Sequence, residues 1–108
     1  MSQMPSVSEQ RRHARYVISK PCRVTAGGRD FRCRLKDISA GGAAIRWRTK
    51  IEAGAEIEVD MGDIGAYSAH VVRVQEDDDV VAVQFVLDDA AQERLTAEIT
   101  KIFQGMPG

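Results

Sequence analysis

The amino-acid sequence predicts an all-β fold, a six-stranded antiparallel β-barrel followed by one C-terminal α-helix. Two observations lead to this prediction. Apolar and polar residues alternate along most of the chain, and helical periodicity appears only in its last segment. Alternation with a period of two places one face of each segment in the core and the other in water, which is typical of antiparallel strands. The length of 108 residues and the 44% hydrophobic content correspond to a single globular domain.

The predicted strands follow one another at the short spacing of a barrel. They are residues 20–26, 30–38, 43–49, 56–61, 66–75 and 80–86. Glycines or acidic residues separate most of them, and Gly27-Gly28 has the composition of a two-residue hairpin turn. Within residues 66–75 the apolar residues change face at Val71-Val72. We therefore expect a β-bulge there, because one extra residue in a strand turns the side chains that follow it.

The helix is predicted from the change of period near the C-terminus. Asp88 or Asp89 can cap its first turn, and Gly105 stands where a glycine often follows a helix. Between them, apolar residues recur at helical spacing at Leu95, Ile99, Ile102 and Phe103. A single apolar stripe predicts that the helix lies against the barrel and closes one of its ends.

The N-terminal residues show no periodicity. Residues 1–10 are polar and include Pro5, so we expect a flexible arm, with the folded domain spanning residues 11–104. This arm lacks the charged and apolar regions of a secretory signal peptide. No apolar run approaches the roughly 18 residues that a membrane helix needs, so we expect no membrane insertion. The expected location is the cytoplasm.

Charge is distributed unevenly between the two halves of the chain. Residues 1–50 contain twelve basic and three acidic residues, a balance of +9, whereas residues 51–108 contain three basic and thirteen acidic residues, a balance of −10. Such an asymmetry suggests that the first half meets an anion. The alternative is that strands from the two halves interleave in space and neutralise one another.

The two cysteines raise a question of pairing. If Gly27-Gly28 is a two-residue turn, Cys22 lies opposite Cys33 in the first hairpin, and Arg23 lies opposite Arg32. A disulfide fits this register, but a reducing cytosol favours free thiols that pack as small apolar residues. Two cysteines at this spacing are too few for a zinc site, and we expect no bound metal.

Two short patterns stand out from the strand background. The first is Arg11-Arg12-His13-Ala14-Arg15, and the second is Asp-Ile-Ser-Ala-Gly-Gly at residues 37–42, between the second and third strands. Each alone has an ordinary structural explanation. The arginines can form a solvated basic arm, and the Asp37 or Ser39 side chain can close a turn. Trp47, similarly, is explained by core packing more readily than by stacking on a base.

Taken together, the two patterns resemble the signatures of the PilZ domain family, RxxxR and [DN]xSxxG. Arg11 and Arg15 match the first signature, and Asp37, Ser39 and Gly42 match the second. The resemblance extends over residues 10–103. It implies a PilZ-type barrel with a C-terminal helix that binds the bacterial second messenger cyclic di-GMP. The binding residues it implies are Arg11, Arg12, Arg15, Asp37, Ser39, Gly41 and Gly42.

These residue types suit that ligand, which carries two phosphates and two guanines. An arginine fork matches a phosphate, or the O6 and N7 atoms of guanine, with two parallel hydrogen bonds. The Asp37 carboxylate can accept hydrogen bonds from guanine N1–H and its exocyclic amine, which no phosphate donates. Ser39 adds a small hydroxyl, and Gly41-Gly42 lets the backbone turn and approach a flat base.

The predicted function is that of a cyclic di-GMP receptor or adaptor without a cofactor. We expect the arginine arm to become ordered on the ligand and to signal to a separate partner protein. An enzyme is not expected, because the sequence lacks a catalytic Cys-His pairing and a Walker loop. Two alternatives remain at this stage, a PilZ-like adaptor that binds no ligand and a barrel that binds single-stranded nucleic acid. The chain has few aromatic residues for base stacking, so DNA and RNA are not expected as partners.

Overall fold

The computed structural model describes residues 15–104. The predicted arm of residues 1–10, with Arg11, Arg12 and Gly105, lies outside the described residues. The strands are β1 Tyr16–Ala26, β2 Arg29–Ile38, β3 Gly42–Arg46, β4 Glu56–Asp60, β5 Ala66–Gln75 and β6 Val80–Phe85. A 3₁₀ turn, Gly62–Ile64, connects β4 with β5, and the C-terminal helix α1 spans Asp89–Gln104.

The six strands form one closed antiparallel barrel in the spatial order β1-β2-β3-β6-β5-β4. The barrel closes where β4 pairs with β1, over the three residue pairs from Arg23–Asp60 to Thr25–Glu58. The predicted fold class, a six-stranded antiparallel barrel with a C-terminal helix, is confirmed.

The first hairpin has the predicted turn and the predicted register. Gly27 and Gly28 have φ angles of 59° and 78°, the left-handed values that a type I′ turn requires at both central positions. Cys22 consequently pairs with Cys33, and Arg23 with Arg32. The two cysteines are free thiols.

Two strand ends differ from the prediction by more than one residue. β1 begins at Tyr16, four residues before the predicted start, because Tyr16 stacks on Phe103 of the helix with ring centroids 4.4 Å apart and Ile18 packs against the core. β3 ends at Arg46, three residues before the predicted end. Trp47 then leaves the strand ladder and donates a backbone hydrogen bond to Asp79 O in the β5–β6 turn.

The predicted bulge in β5 is confirmed. Val71 pairs with Val83 and Arg73 pairs with Ala82, so Val72 is the extra residue and its side chain is 51% exposed. Inserting one residue turns Val74 back towards the core, against which it packs.

The core fills the barrel and is covered at one end by α1. Asp88 caps the helix, since its Oδ1 accepts a 2.8 Å hydrogen bond from Ala91 N, and Leu95 and Ile99 are buried against the barrel. Trp47 is buried next to Phe31, with ring centroids 5.3 Å apart, which confirms the core-packing interpretation of this residue. Within residues 15–104, no helix combines the length and apolar character needed to cross a bilayer.

Candidate functional site

An ion pair between Arg15 and Asp37 joins the two sequence patterns in space. Arg15 Nη1 lies 2.5 Å from Asp37 Oδ1, although the residues are 22 positions apart. Antiparallel pairing of β1 with β2 sets Val17 opposite Asp37, so the residue just before β1 reaches the carboxylate at the end of β2. The Arg15 side chain is 58% exposed and that of Asp37 is 17% exposed. The structure therefore places both predicted side chains at one surface site.

A break in the strand alternation gives Asp37 its position. The β2–β3 register shifts between Leu35 and Asp37, so Lys36 is an extra residue in β2. Because of this shift, Leu35 and Ile38 are both fully buried although they are three positions apart, and Asp37 is left half-buried at the surface. The sequence signal for the shift is the Leu35–Ile38 spacing, which strict alternation does not allow.

Ser39 is buried and holds the β2–β3 loop together. Its Oγ accepts hydrogen bonds from Gly41 N and Gly42 N and donates to Gly42 O, each at 3.2 Å. The Ser39 backbone N also donates to Gly42 O, at 2.8 Å. The side chain thus closes the turn, which is the ordinary structural role of a serine at this position, and its hydroxyl is fully engaged with the loop.

Gly42 is fixed by its neighbour in the sheet. It pairs with Gln84 of β6, and a Cβ at this position would overlap the carbonyl oxygen of Val83. Only glycine fits here without a shift of the β6 backbone. The sequence suggested close approach of a flat base as the reason for this glycine, and the structure adds a reason internal to the barrel.

The loop is also attached to β6 and to the helix. Phe85 N donates to Gly41 O at 3.0 Å, and Gln92 Nε2 of α1 donates to Ala40 O at 3.0 Å. Gln92 lies in neither of the two sequence patterns. The available signal was its helical position, since residues 92, 95 and 99 share one face and Gln92 is the polar member of that buried stripe.

The outer face of β1, β2 and β3 carries two pairs of opposed arginines. Arg34 lies opposite Arg46 in the β2–β3 ladder, and Arg23 lies opposite Arg32 in the β1–β2 ladder. The ion pairs within residues 15–104 are Arg15–Asp37, Arg48–Asp79 and Lys101–Glu98. None of the four arginines therefore has a carboxylate of the described residues within 4.0 Å. Like charges directly opposite each other destabilise a sheet, so the barrel tolerates a repulsion that a bound anion would relieve.

Strand order explains why this basic surface persists. The strands of the first half, β1, β2 and β3, are adjacent in the barrel, and so are β6, β5 and β4 of the second half. The interleaving of strands that the alternative assumed is therefore wrong. β1, β2 and β3 present a basic outer face. At its two edges the halves meet, since Arg23 pairs with Asp60 of β4 and Arg48 forms an ion pair with Asp79 of the β5–β6 turn.

Five of the seven predicted site residues are among those that the structure describes. Arg15 and Asp37 are in contact, and Ser39, Gly41 and Gly42 form the loop that follows Asp37 directly. Arg11 and Arg12 lie outside the described residues. The arrangement combines a guanidinium, a half-buried carboxylate and a basic surround, which suits an anion that also carries hydrogen-bond donors.

Comparison with sequence families gives one match. A family model described as the PilZ domain matches residues 9–101, which is most of the chain. No curated protein matches the sequence.

Comparison with solved structures supports the same fold. The PilZ domain of CeSA from a cellulose-synthesising bacterium superimposes with a TM-score of 0.62 at 18% identity, covering 84% of this chain and 96% of that chain. The MrkH–c-di-GMP complex from K. pneumonia gives 0.68 at 20% identity, covering 87% of this chain and 52% of that chain. YcgR in complex with c-di-GMP from Escherichia coli gives 0.66 at 24% identity, covering 88% and 46%. The chain thus spans about half the length of MrkH and of YcgR.

Proposed function

Because the chain belongs to the PilZ domain family, we propose that it is a receptor for cyclic di-GMP that signals to a separate protein. Two of the similar structures, MrkH and YcgR, are described as complexes with this ligand. The observation that carries the proposal for this chain is the Arg15–Asp37 pair, which joins the two family signatures at one surface site.

The pair has the chemistry to distinguish an anion that carries guanine from other anions. Arg15 can turn its fork to a phosphate, or to the O6 and N7 atoms of guanine. Asp37 repels a bare phosphate, yet it accepts hydrogen bonds from guanine N1–H and the exocyclic amine. A ligand that satisfies both residues therefore combines acceptors for Arg15, on a phosphate or a guanine, with a donor edge for Asp37, as cyclic di-GMP does.

The other predicted residues have two kinds of role in this proposal. Arg11 and Arg12 add charge and forked donors from the segment before Arg15. Ser39, Gly41 and Gly42 line the site through the loop backbone and keep Asp37 in place, since the Ser39 hydroxyl is engaged with that loop. On this proposal, ligand binding draws the arginine arm over the dianion and changes the surface that a partner protein meets.

The basic face of β1, β2 and β3 supports the proposal through its long-range field. Arg23, Arg32, Arg34 and Arg46 lie on the outer surface. A field of one sign around a site raises the rate at which an oppositely charged ligand arrives, and salt weakens the effect. We therefore expect association with the dianion to be fast and salt-dependent.

The aromatic residues argue against single-stranded nucleic acid as the ligand. All six pack in pairs, Tyr16 with Phe103, Phe31 with Trp47, and Tyr67 with Phe85. Each of them is buried or half-buried. Stacking platforms for bases need exposed rings, so this interface lacks the main source of affinity for such strands.

Isothermal titration calorimetry with cyclic di-GMP tests the proposal. We expect saturable binding by the wild-type protein, and no measurable binding by Arg15→Ala at concentrations that saturate the wild type. Arg94→Ala is the matched control, since Arg94 is an exposed arginine on the helix. Equal affinity of Arg15→Ala and wild type would sink the assignment of the site. Absence of binding by a folded wild-type protein would favour the ligand-free adaptor.

A further inference from the structure

We propose that Cys22 and Cys33 form a redox modification site, a dithiol that a peroxide oxidises to an intramolecular disulfide across the β1–β2 hairpin. The inference is independent of the proposed ligand. The thiols are free in this structure, and the protein contains no other cysteine.

The strand register sets the two residues opposite each other, at a Cα separation that a disulfide can span. Cys22 and Cys33 are directly opposite each other, and the Gly27-Gly28 turn fixes that register. Counting from the turn, pairs alternate between hydrogen-bonded and non-hydrogen-bonded, so Cys22–Cys33 is a hydrogen-bonded pair with Cα atoms about 5.5 Å apart. Disulfides span Cα separations of about 4.4–6.8 Å. The bond can therefore form without moving one strand along the other.

Both thiols can be reached from solvent through an open pocket. Pro21, Arg23, Arg32 and Asp60 line it together with the two cysteines, and its volume is about 400 Å³. The pocket lies at the seam of the barrel. β4 pairs with β1 only from Arg23 to Thr25. Cys22 precedes this paired segment of β1 directly and has no partner residue in β4. The Cys22 side chain is 7% exposed and that of Cys33 is half-buried, which admits a small oxidant such as hydrogen peroxide.

The surroundings make the two thiols unequal. A hydrogen bond from the Cys33 thiol, helped by the charge of Arg34, lowers the pKa of Cys22 against the opposing effects of burial and Asp60. The pKa of Cys33 is raised by the same hydrogen bond and by burial. In the neutral state Cys33 Sγ donates to Phe31 O at 3.7 Å. An ionised Cys22 and a protonated Cys33 would divide the two roles found in reactive cysteine pairs, the attacking thiolate and the resolving thiol.

The oxidation has two balanced steps. The Cys22 thiolate attacks one peroxide oxygen, so an S–O bond forms, the O–O bond breaks and hydroxide leaves to take up a proton from solvent. Cys33 sulfur then attacks Cys22 sulfur of the sulfenic acid, so the S–S bond forms, the S–O bond breaks and the departing oxygen leaves as water with the Cys33 proton. Two thiols and one hydrogen peroxide give one disulfide and two waters, and the electrons lost by sulfur reduce the peroxide.

The bond would join β1 to β2 in the part of the hairpin between its turn and the Arg15–Asp37 pair. A cross-link between these strands restricts the unfolded chain, so we expect the oxidised protein to melt at a higher temperature than the reduced one. Because such bonds are usually transient in a reducing compartment, the site would act as a reversible modification.

The test treats the reduced full-length protein with hydrogen peroxide and measures its intact mass. We expect the loss of two hydrogen atoms, the disappearance of both titratable thiols, a higher melting temperature and full reversal by dithiothreitol. Cleavage before aspartates cuts at Asp30 and separates the cysteines, so the oxidised protein must release Cys22 and Cys33 peptides that remain joined. In Cys33→Ser, dimedone should trap a sulfenic acid on Cys22.

Three results would overturn the proposal, and each is measured on the wild type without relying on a variant. They are retention of both thiols under peroxide, direct oxidation to sulfinic acid without a disulfide, and disulfides that form only between molecules. Cyclic di-GMP binding by the reduced protein is a separate measurement, so failure of the dithiol and failure of the proposed receptor function are distinguishable.

Discussion

A side chain on Gly42 would collide with the carbonyl oxygen of Val83 in the neighbouring strand. Gly42 begins β3 directly after the loop that carries Ser39, so this close approach ties the loop to β6. The same glycine closes the second sequence signature. Its identity is therefore required by barrel packing, independently of any ligand.

We expect Gly42→Ala to destabilise the protein by about 1–3 kcal/mol, because the added methyl group must push the β6 backbone aside. Urea unfolding measures the loss. Gly27→Asn is the matched control, since Gly27 has a φ of 59° and open space around its Cα, and asparagine tolerates that conformation. Equal stability of Gly42→Ala and the wild type would show that β6 can move at no cost.

Asp37 provides a test that separates binding from folding. Its ion pair with Arg15 is open to water on the arginine side, and such pairs contribute at most about 1 kcal/mol to stability. We expect Asp37→Asn to leave the free energy of unfolding within that range. We also expect it to lower cyclic di-GMP affinity by roughly ten- to a hundredfold, the loss that follows removal of a charged hydrogen-bond partner.

Calorimetry and urea unfolding on the same samples check both parts. Asp30→Asn is the control, since Asp30 is a carboxylate at the other end of β2 and accepts a 2.8 Å hydrogen bond from Thr25. Wild-type affinity in Asp37→Asn would contradict the role of this carboxylate in guanine recognition.

Gln92 tests whether the helix positions the binding loop. Its amide donates to Ala40 O, and it makes this contact from the buried face of α1. We expect Gln92→Ala to weaken cyclic di-GMP binding several-fold and to speed amide hydrogen exchange at Gly41 and Gly42, because the loop loses one of its anchors. Glu93→Ala, at an exposed helix position, should change neither quantity. Unchanged exchange in Gln92→Ala would mean that Ser39 and β6 hold the loop without the helix.

The sequence predicts the barrel well because its signals are local. Alternation and the Gly27-Gly28 turn determine the β1–β2 register, including the Cys22–Cys33 pair, and the phase change at Val71-Val72 places the bulge. The contacts of the loop depend on residues far apart in the chain. Gln92 is 52 positions from Ala40, and no local pattern connects them.

Strand order is the other feature that the sequence left open. Composition gives the charge of each half, but only the order β1-β2-β3-β6-β5-β4 shows that the strands of the two halves do not interleave. For the same reason, the sequence is consistent with Ser39 as a ligand contact and as a turn residue. The buried hydroxyl with three bonds to the loop backbone favours the second role.

The opposed pair Arg23–Arg32 predicts that one substitution can raise the stability of the barrel and lower the rate of ligand association. We expect Arg32→Glu to stabilise the barrel by about 0.2–1 kcal/mol, because an attractive cross-strand pair replaces a repulsive one. The same change should slow the association of cyclic di-GMP, since the basic face loses two units of charge. Stopped-flow binding and urea unfolding at low and high salt measure both effects, and both should shrink as salt rises. Arg32→Gln is the control that removes repulsion without adding attraction. Faster association in Arg32→Glu would contradict a steering role for this face.

Tyr67 predicts how stability changes at alkaline pH. Its phenol is buried in the core and donates a 2.9 Å hydrogen bond to Ile64 O in the 3₁₀ turn. Burial raises the pKa of Tyr67 above its ordinary value of 10.0, with Glu98 adding to the rise and Arg94 opposing it. The folded state therefore favours the neutral phenol. This contribution is fully present below pH 10 and is lost as pH rises through the raised pKa, because the unfolded chain ionises first.

We expect Tyr67→Phe to cost about 1–3 kcal/mol near neutral pH, since it leaves the buried Ile64 carbonyl without a partner. It should also flatten the fall in stability above pH 10. Urea unfolding of both proteins from pH 7 to pH 11 measures the difference, which should narrow as the wild-type phenol ionises. Tyr16→Phe is the control, because Tyr16 is half-buried and stacks on Phe103. A constant difference between Tyr67→Phe and wild type across this range would show that the buried phenol does not govern alkaline unfolding.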